Sequence, residues 1–181
     1  MLYGSDVLRN KAVDVDIKDA EELKEFIKNM WDTLDNAEGV GLAAPQVGRS
    51  IRLVIVDGTP LAEDLDYLKD FKRTIINPEV VEESEETATY SEGCLSIPDV
   101  NANVTRPKTI KVKYLDENFQ PQEEVFDEFA CRIVQHELDH LEGVMFVDRV
   151  APIRKKMINN KLVSISKGKV GAHYKTKIDR K

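Results

Sequence analysis

The chain has 181 residues, 41% of them hydrophobic, which is enough for one folded domain over 1–181 and argues against a disordered chain. Charged residues make up 33% and the formal net charge is -7, which argues against nucleic-acid binding by the surface as a whole. The charge is uneven: residues 154–181 carry ten Lys or Arg and one Asp, a local +9 that leaves -16 on the 153 residues before them. A basic tail on an acidic body suits an anionic partner such as RNA or a membrane surface; the plainer reading is a solvated terminus kept soluble by its lysines. No stretch reaches the roughly 20 apolar residues that cross a bilayer, so no membrane span is expected. The opening MLYGSDVLRN has no apolar signal core, so, if Met1 is the true start, the protein is expected to stay in the compartment where it is made, a reducing cytoplasm. In that reducing compartment Cys94 and Cys131 read as filler, catalyst or metal ligand before disulfide.

In chain order, the first expected element is a helix over 19–36. Leu23, Phe26, Ile27, Met30, Trp31 and Leu34 recur every three or four residues, and Asp19 with Glu22 forms a capping-box pattern. A glycine-rich segment, Gly39 to Gly48, leads into a β-branched strand over 51–57 that ends at Asp57-Gly58. A phosphate-binding loop is excluded there, because Arg49-Ser50 runs into a strand where that loop needs Lys and a helix. Short strands are expected at 75–76 and 79–81, and the acidic run 82–86 reads as a solvated hairpin or loop. Residues 109–115 and 122–126 form a hairpin, 129–141 a second helix stopped by Gly143, and 152–157 a shorter third helix. A strand over 163–166 and a loosely ordered 167–181 complete the chain. Strands without βαβ alternation predict an α+β fold: short, largely antiparallel sheets around a buried metal-binding helix, plus an N-terminal helix.

The chemistry concentrates in Gln135-His136-Glu137-Leu138-Asp139-His140. On a helix, His136 and His140 lie roughly 40° apart, one turn from each other. Glu137 stays on that side, placed to act as a base without binding the metal. Phe129, Ile133, Val134, Leu138 and Leu141 make the helix apolar and hence buried, so polar groups on it need a compensating partner, which a metal supplies. Two histidines fall one short of the three protein ligands usual in catalytic sites. His173 sits in the basic tail and is a poor candidate. Position 146 is Phe146 where an extended metzincin pattern requires His. Cys131 points about 140° around the helix from His136. Cys94 is left, in Glu92-Gly93-Cys94-Leu95-Ser96. Alone, it is more often a core residue; joined to two imidazoles, it suits Fe(II) or Zn(II).

Three segments now carry a resemblance. Gly39-Val40-Gly41-Leu42-Ala43-Ala44-Pro45-Gln46, Glu92-Gly93-Cys94-Leu95-Ser96 and Gln135-His136-Glu137-Leu138-Asp139-His140 resemble the three signature motifs of peptide deformylases, in the family's order, within a likeness covering roughly residues 3 to 155. The resemblance implies a hydrolase that removes the formyl group from N-formyl-Met at the start of nascent polypeptides. It implies Cys94, His136 and His140 as ligands of one divalent ion, natively Fe(II) and often replaced by Zn(II) or Ni(II). Glu137 is then general base and later general acid. The amide of Gln46 and the backbone N–H of Leu95 face the developing oxyanion. Gly41, with Val40 and Gly93 beside it, pairs edge-on with the substrate backbone, and Phe129 and Ile133 line the Met pocket. Arg132 borders that pocket or forms a surface ion pair. The rival readings are an H-E-x-x-H zinc endopeptidase, which lacks a downstream ligand, and a structural metal site, which lacks a fourth. Some relatives carry an arginine shortly after the Cys motif; here that stretch is Asp99-Val100-Asn101-Ala102-Asn103, so the resemblance assigns no residue to recognition beyond the first position. Some relatives end in a basic helix that docks on the ribosome. Here Gly168 and Gly171 would each cost a helix about 1 kcal/mol, so a strand and loop are expected after Leu162, with ribosome contact by the tail as a hypothesis.

Overall fold

The computed structural model describes residues 1–179, apart from the side chain of Asp19, so the capping role expected there and residues 180 and 181 lie outside the described residues. Among the described residues there are three α-helices and seven strands, joined by short 3-10 turns. Helix α1 spans Ala20–Ala37 and strand β1 spans Gly41–Ala43. Strand β2 is Leu53–Asp57, β3 Lys72–Glu83, β4 Thr87–Cys94, β5 Ile97–Pro107, β6 Ile110–Leu115 and β7 Pro121–Phe126. Helix α2 spans Glu128–Leu141 and α3 Pro152–Ser166. Strands β1-β2-β3-β6-β7 form one antiparallel sheet, and β4-β5 form a separate hairpin. The expected α+β architecture is the observed one.

Burial explains the layering. All five residues of β2 are buried, because both faces of the sheet are covered there. Leu53 and Ile55 point to α1, packing with Leu23, Ile27, Met30 and Leu34. Val54 and Val56 point the other way, to Ile133, Val134 and Leu141 of α2. Fully burying one such side chain contributes about 1.5–3 kcal/mol, so this alternation fixes the register of the sheet. A third cluster joins β5 to the N-terminal segment and α3 through Leu8, Val100, Val104, Phe146, Leu162 and Ile165.

Three expectations need correction. Residues 163–166 continue α3 rather than forming a strand, so the third helix runs nine residues past 157. Leu162 and Ile165 are buried while Val163 is exposed, a three-residue spacing that only a helix gives. Their burial outweighs the few tenths of a kcal/mol by which β-branched residues disfavour helix. Gly168, at φ 73°, lies just beyond the last turn. The two short strands around Asn77-Pro78 are one strand, β3, with a bulge between Ile76 and Glu79. Asn77 takes φ 49°, and its side-chain amide binds both backbone groups of Val15, at 2.7 and 3.1 Å, which ties the bulge to the segment before α1. The acidic run is neither a hairpin nor wholly a loop: Glu82 and Glu83 end β3, with Glu82 3.8 Å from Lys111 on β6, and the strand that follows, β4, belongs to a different sheet. Hairpin β4–β5 was not anticipated at all, and it carries Cys94 to its place.

Candidate metal centre

Helix α2 runs through the apolar centre, and Gly143 stops it. The Val144 and Gly143 N–H groups return to the carbonyls of Asp139 and His140, and Gly143 takes φ 72°, where a Cβ would sit 2.5 Å from the Arg9 carbonyl oxygen. Its buried face presents His136 and His140, with ring centroids 5.2 Å apart at 77°. Cys94 ends β4, just before the two-residue turn Leu95-Ser96, and its Sγ lies 3.4 Å from His140 Nε2. One donor atom from each of Cys94, His136 and His140 falls within 4.8 Å of the others. A thiol and two imidazoles at that spacing fit a single divalent ion of borderline softness. Cys131 faces Pro107 and Gln135 instead and takes no part.

The surroundings orient the His136 ring and set negative charge beside it. His136 Nδ1 pairs with Glu92 Oε2 at 2.8 Å, which leaves its other nitrogen for the cluster. Glu92 is 5% exposed and is gripped by Arg106 at 2.7 and 2.9 Å and by Arg132 at 2.7 Å. Burial works to raise its pKa, but the bonds from Arg106 and His136 prevail and hold the carboxyl well below the usual range. Arg106 also reaches Asp139 at 2.7 Å, and Asp139 accepts two 2.6 Å bonds from Arg149. Removing one partner from such a buried ion pair costs about 3–5 kcal/mol, so the network locks hairpin β4–β5 onto α2.

Glu137 is 4% exposed, and burial pushes its carboxyl up to about 7. Among the described residues its Oε2 has no hydrogen-bond partner, nor does His140 Nδ1. The carboxylate rests against Gly41 of β1, where any Cβ would collide with Glu137 Oε1. That contact is a reason for glycine at 41. Gln46 lies in the 3-10 turn Ala44–Val47 and is 4% exposed. Its Oε1 accepts from the Ala43 N–H at 2.8 Å, so Nε2 turns toward Ser96 Oγ at 3.1 Å and Cys94 Sγ at 3.5 Å. Gln46 therefore presents a donor edge to the centre.

A cavity of about 410 Å³ brings together Val40, Gly41, Gln46, Gly93, Cys94, Leu95, Phe129, Arg132, Ile133, His136 and Glu137. His140, 1% exposed, is not part of its wall. Arg132 borders the cavity, but its ion pair is buried rather than superficial: it is 4% exposed and also donates to the carbonyls of Val104 and Ala88. The sequence reading missed Glu92, Arg106 and Asp139. Arg106 left a signal, as the charged member of the inward series Val100, Ala102, Val104 on β5. It also missed residues 171–174, which line the cavity mouth.

A family model described as polypeptide deformylase matches residues 1–156. The chain belongs to the peptide deformylase family. A peptide deformylase of Christiangramia forsetii is 46% identical over 180 residues, covering 96% of this chain and 91% of that one. One of Salinibacter ruber is 45% identical over 177 residues, with 96% and 90% covered. Among solved structures, the Plasmodium falciparum deformylase superposes with a TM-score of 0.84 at 32% identity, covering 93% of this chain and 95% of that chain. The Thermotoga maritima deformylase gives 0.75 at 40% identity, with 83% and 95% covered.

In this deformylase the Glu92–His136 bond is expected to tune metal affinity. Glu92→Gln should weaken binding by about 10–100-fold in competition with a chromophoric chelator. Unchanged affinity would show that Glu92 serves packing alone.

Proposed function

We propose that this deformylase hydrolyses the formyl amide of N-formylmethionine at the head of nascent polypeptides in the cytoplasm, releasing formate and a free amine. The observation that carries the reading is the convergence of the Cys94, His136 and His140 donor atoms beside a buried Glu137 carboxylate with one oxygen unpartnered. We assign those three residues to one divalent ion, natively Fe(II), with Zn(II) or Ni(II) as substitutes that suit the same donors. When bound, the ion supplies Lewis acidity, lowering the pKa of water and polarising a carbonyl.

The chain's own groups do the rest. Glu137 Oε2 accepts a proton from water as the water oxygen adds to the formyl carbon. It then donates that proton to the amine nitrogen as the C–N bond breaks. A carboxyl raised by burial toward neutrality can perform both transfers. Gln46 Nε2 and the Leu95 backbone N–H are neutral donors for the oxygen that gains charge. The outer edge of β1 lies at the end of the five-stranded sheet, so a substrate backbone can add there as a further strand, with Val40, Gly41 and Gly93 alongside. Phe129 and Ile133 offer apolar walls to the Met side chain, with Arg132, neutralised by Glu92, at the border.

We also assign the basic tail to the ribosome. Arg154, Lys156 and Lys161 are exposed on α3, beside exposed Ile153 and Met157. Changing these three cations to Gln should abolish co-sedimentation with ribosomes at low salt, and binding that survives the change refutes the contact. For the reaction, the metal-loaded protein should release formate from formyl-Met peptides. Glu137→Gln that retains its metal should be slower by about 10²–10⁴-fold. Internal cleavage of an unformylated peptide, or a Glu137→Gln variant of undiminished rate, would contradict the assignment.

A further inference from the structure

Residues 167–179 form no helix or strand, yet they are tied down. The Lys177 carbonyl accepts from the Leu2 N–H at 2.8 Å, the Asp179 carbonyl accepts from the Asp6 N–H at 3.0 Å, and the Asp179 N–H donates to Ser5 Oγ at 3.1 Å. Val170 and Ile178 pack against the cluster around Leu8 and Phe146. This strap turns residues 171–174 into one wall of the cavity that holds the metal cluster. Two contacts fix the wall. The Tyr174 hydroxyl donates to the Leu95 carbonyl at 2.8 Å, and His173 Nε2 lies 4.0 Å from Glu38 Oε2 across the mouth. The strap lies beyond residue 156, where the family model ends.

Glu38 is held unusually. It follows the last residue of α1 at φ 52°, and the Glu38 and Gly39 N–H groups return to the carbonyls of Asp35 and Leu34. That is the position at which helices favour glycine. A carboxylate is kept there despite a left-handed backbone, directly opposite His173.

Chain connectivity then sets the path of a bound peptide. Gly41 touches the catalytic carboxylate; Gly39 and Glu38 lie two and three residues before it, in the turn that leads from α1 into β1. An extended peptide advances about 3.3 Å per residue, so one that starts at Glu137, lies beside β1 and runs on past that turn reaches the Glu38–His173 mouth within about three residues. We infer that residues 171–174 are a specificity wall that contacts the second and third residues of the formylated substrate, with Tyr174 anchoring it and His173 and Glu38 framing its exit. The inference rests on the deformylase reading of the same site.

The test compares kcat/KM for formate release from formyl-Met amide, which cannot reach the wall, and from a formylated tetrapeptide, which can. Wild-type protein should favour the tetrapeptide. The ratio of the two values should fall by about fivefold in His173→Ala and in Tyr174→Ala, the weight of roughly one neutral hydrogen bond each, chiefly through KM of the longer substrate. Tyr174→Phe, which removes only the hydroxyl, should lower the ratio in the same direction. A ratio unchanged in all three variants overturns the wall, even if both rates drop together, because a brace for the Leu95 turn would slow both substrates equally. Failure of the wild-type protein to release formate from either substrate overturns the deformylase reading instead, and the wall with it.

Discussion

The structure depends on one buried carboxylate. Glu92 sits on β4, two residues before Cys94, and its oxygens are shared by Arg106 from β5 and by Arg132 and His136 from α2. Desolvating an ion costs several kcal/mol, and only a complete set of partners recovers that cost. The hairpin and the helix must therefore meet in one register, and that register sets the Cys94 sulfur beside His140 Nε2. Asp139 repeats the device one turn along, between Arg106 and Arg149. The ion pairs thus add to the apolar packing a directional constraint between the hairpin and the helix.

The same site carries its function as local disadvantage. Gly41 gives up backbone stability in a strand so that Glu137 can lie against it, and Glu137 keeps an oxygen buried without a partner. Glu38 and Asp99, both at the cavity mouth, hold left-handed backbones at φ 52° and 57°. Such positions persist only where surrounding structure over-determines them, and two of the five such non-glycine residues among the described residues line this cavity. The apolar clusters elsewhere, with β2 buried on both faces, provide the surplus that tolerates them.

Much of the framework was legible because its signals are local. The stripe from Leu23 to Leu34, the β-branched run at 53–56, the hairpin over 110–126 and the histidine pair on α2 each report on neighbours within a few residues. Hairpin β4–β5 was not read, since Pro98, Asp99, Asn101 and Asn103 look like turn residues although Val100, Ala102 and Val104 alternate inward between them. The end of α3 was misread because β-branched Val163 and Ile165 favour strands, while the burial that decides the outcome comes from β5 and Leu8, far away in sequence. The motif residues converge on one cavity, yet the Glu92–Arg106–Asp139 scaffold beneath them was silent: long-range ion pairs leave no periodicity. The strap was invisible for the same reason, since its anchors lie at Leu2, Ser5, Glu38 and Leu95.

The claim that all else requires is that Cys94 shares one ion with His136 and His140. Cobalt(II) substitution tests it directly. The account predicts one cobalt per chain and a thiolate-to-cobalt charge-transfer absorption that vanishes in Cys94→Ala and survives in Cys131→Ala. A cobalt-loaded protein without that absorption, or one that keeps it in Cys94→Ala, would contradict it.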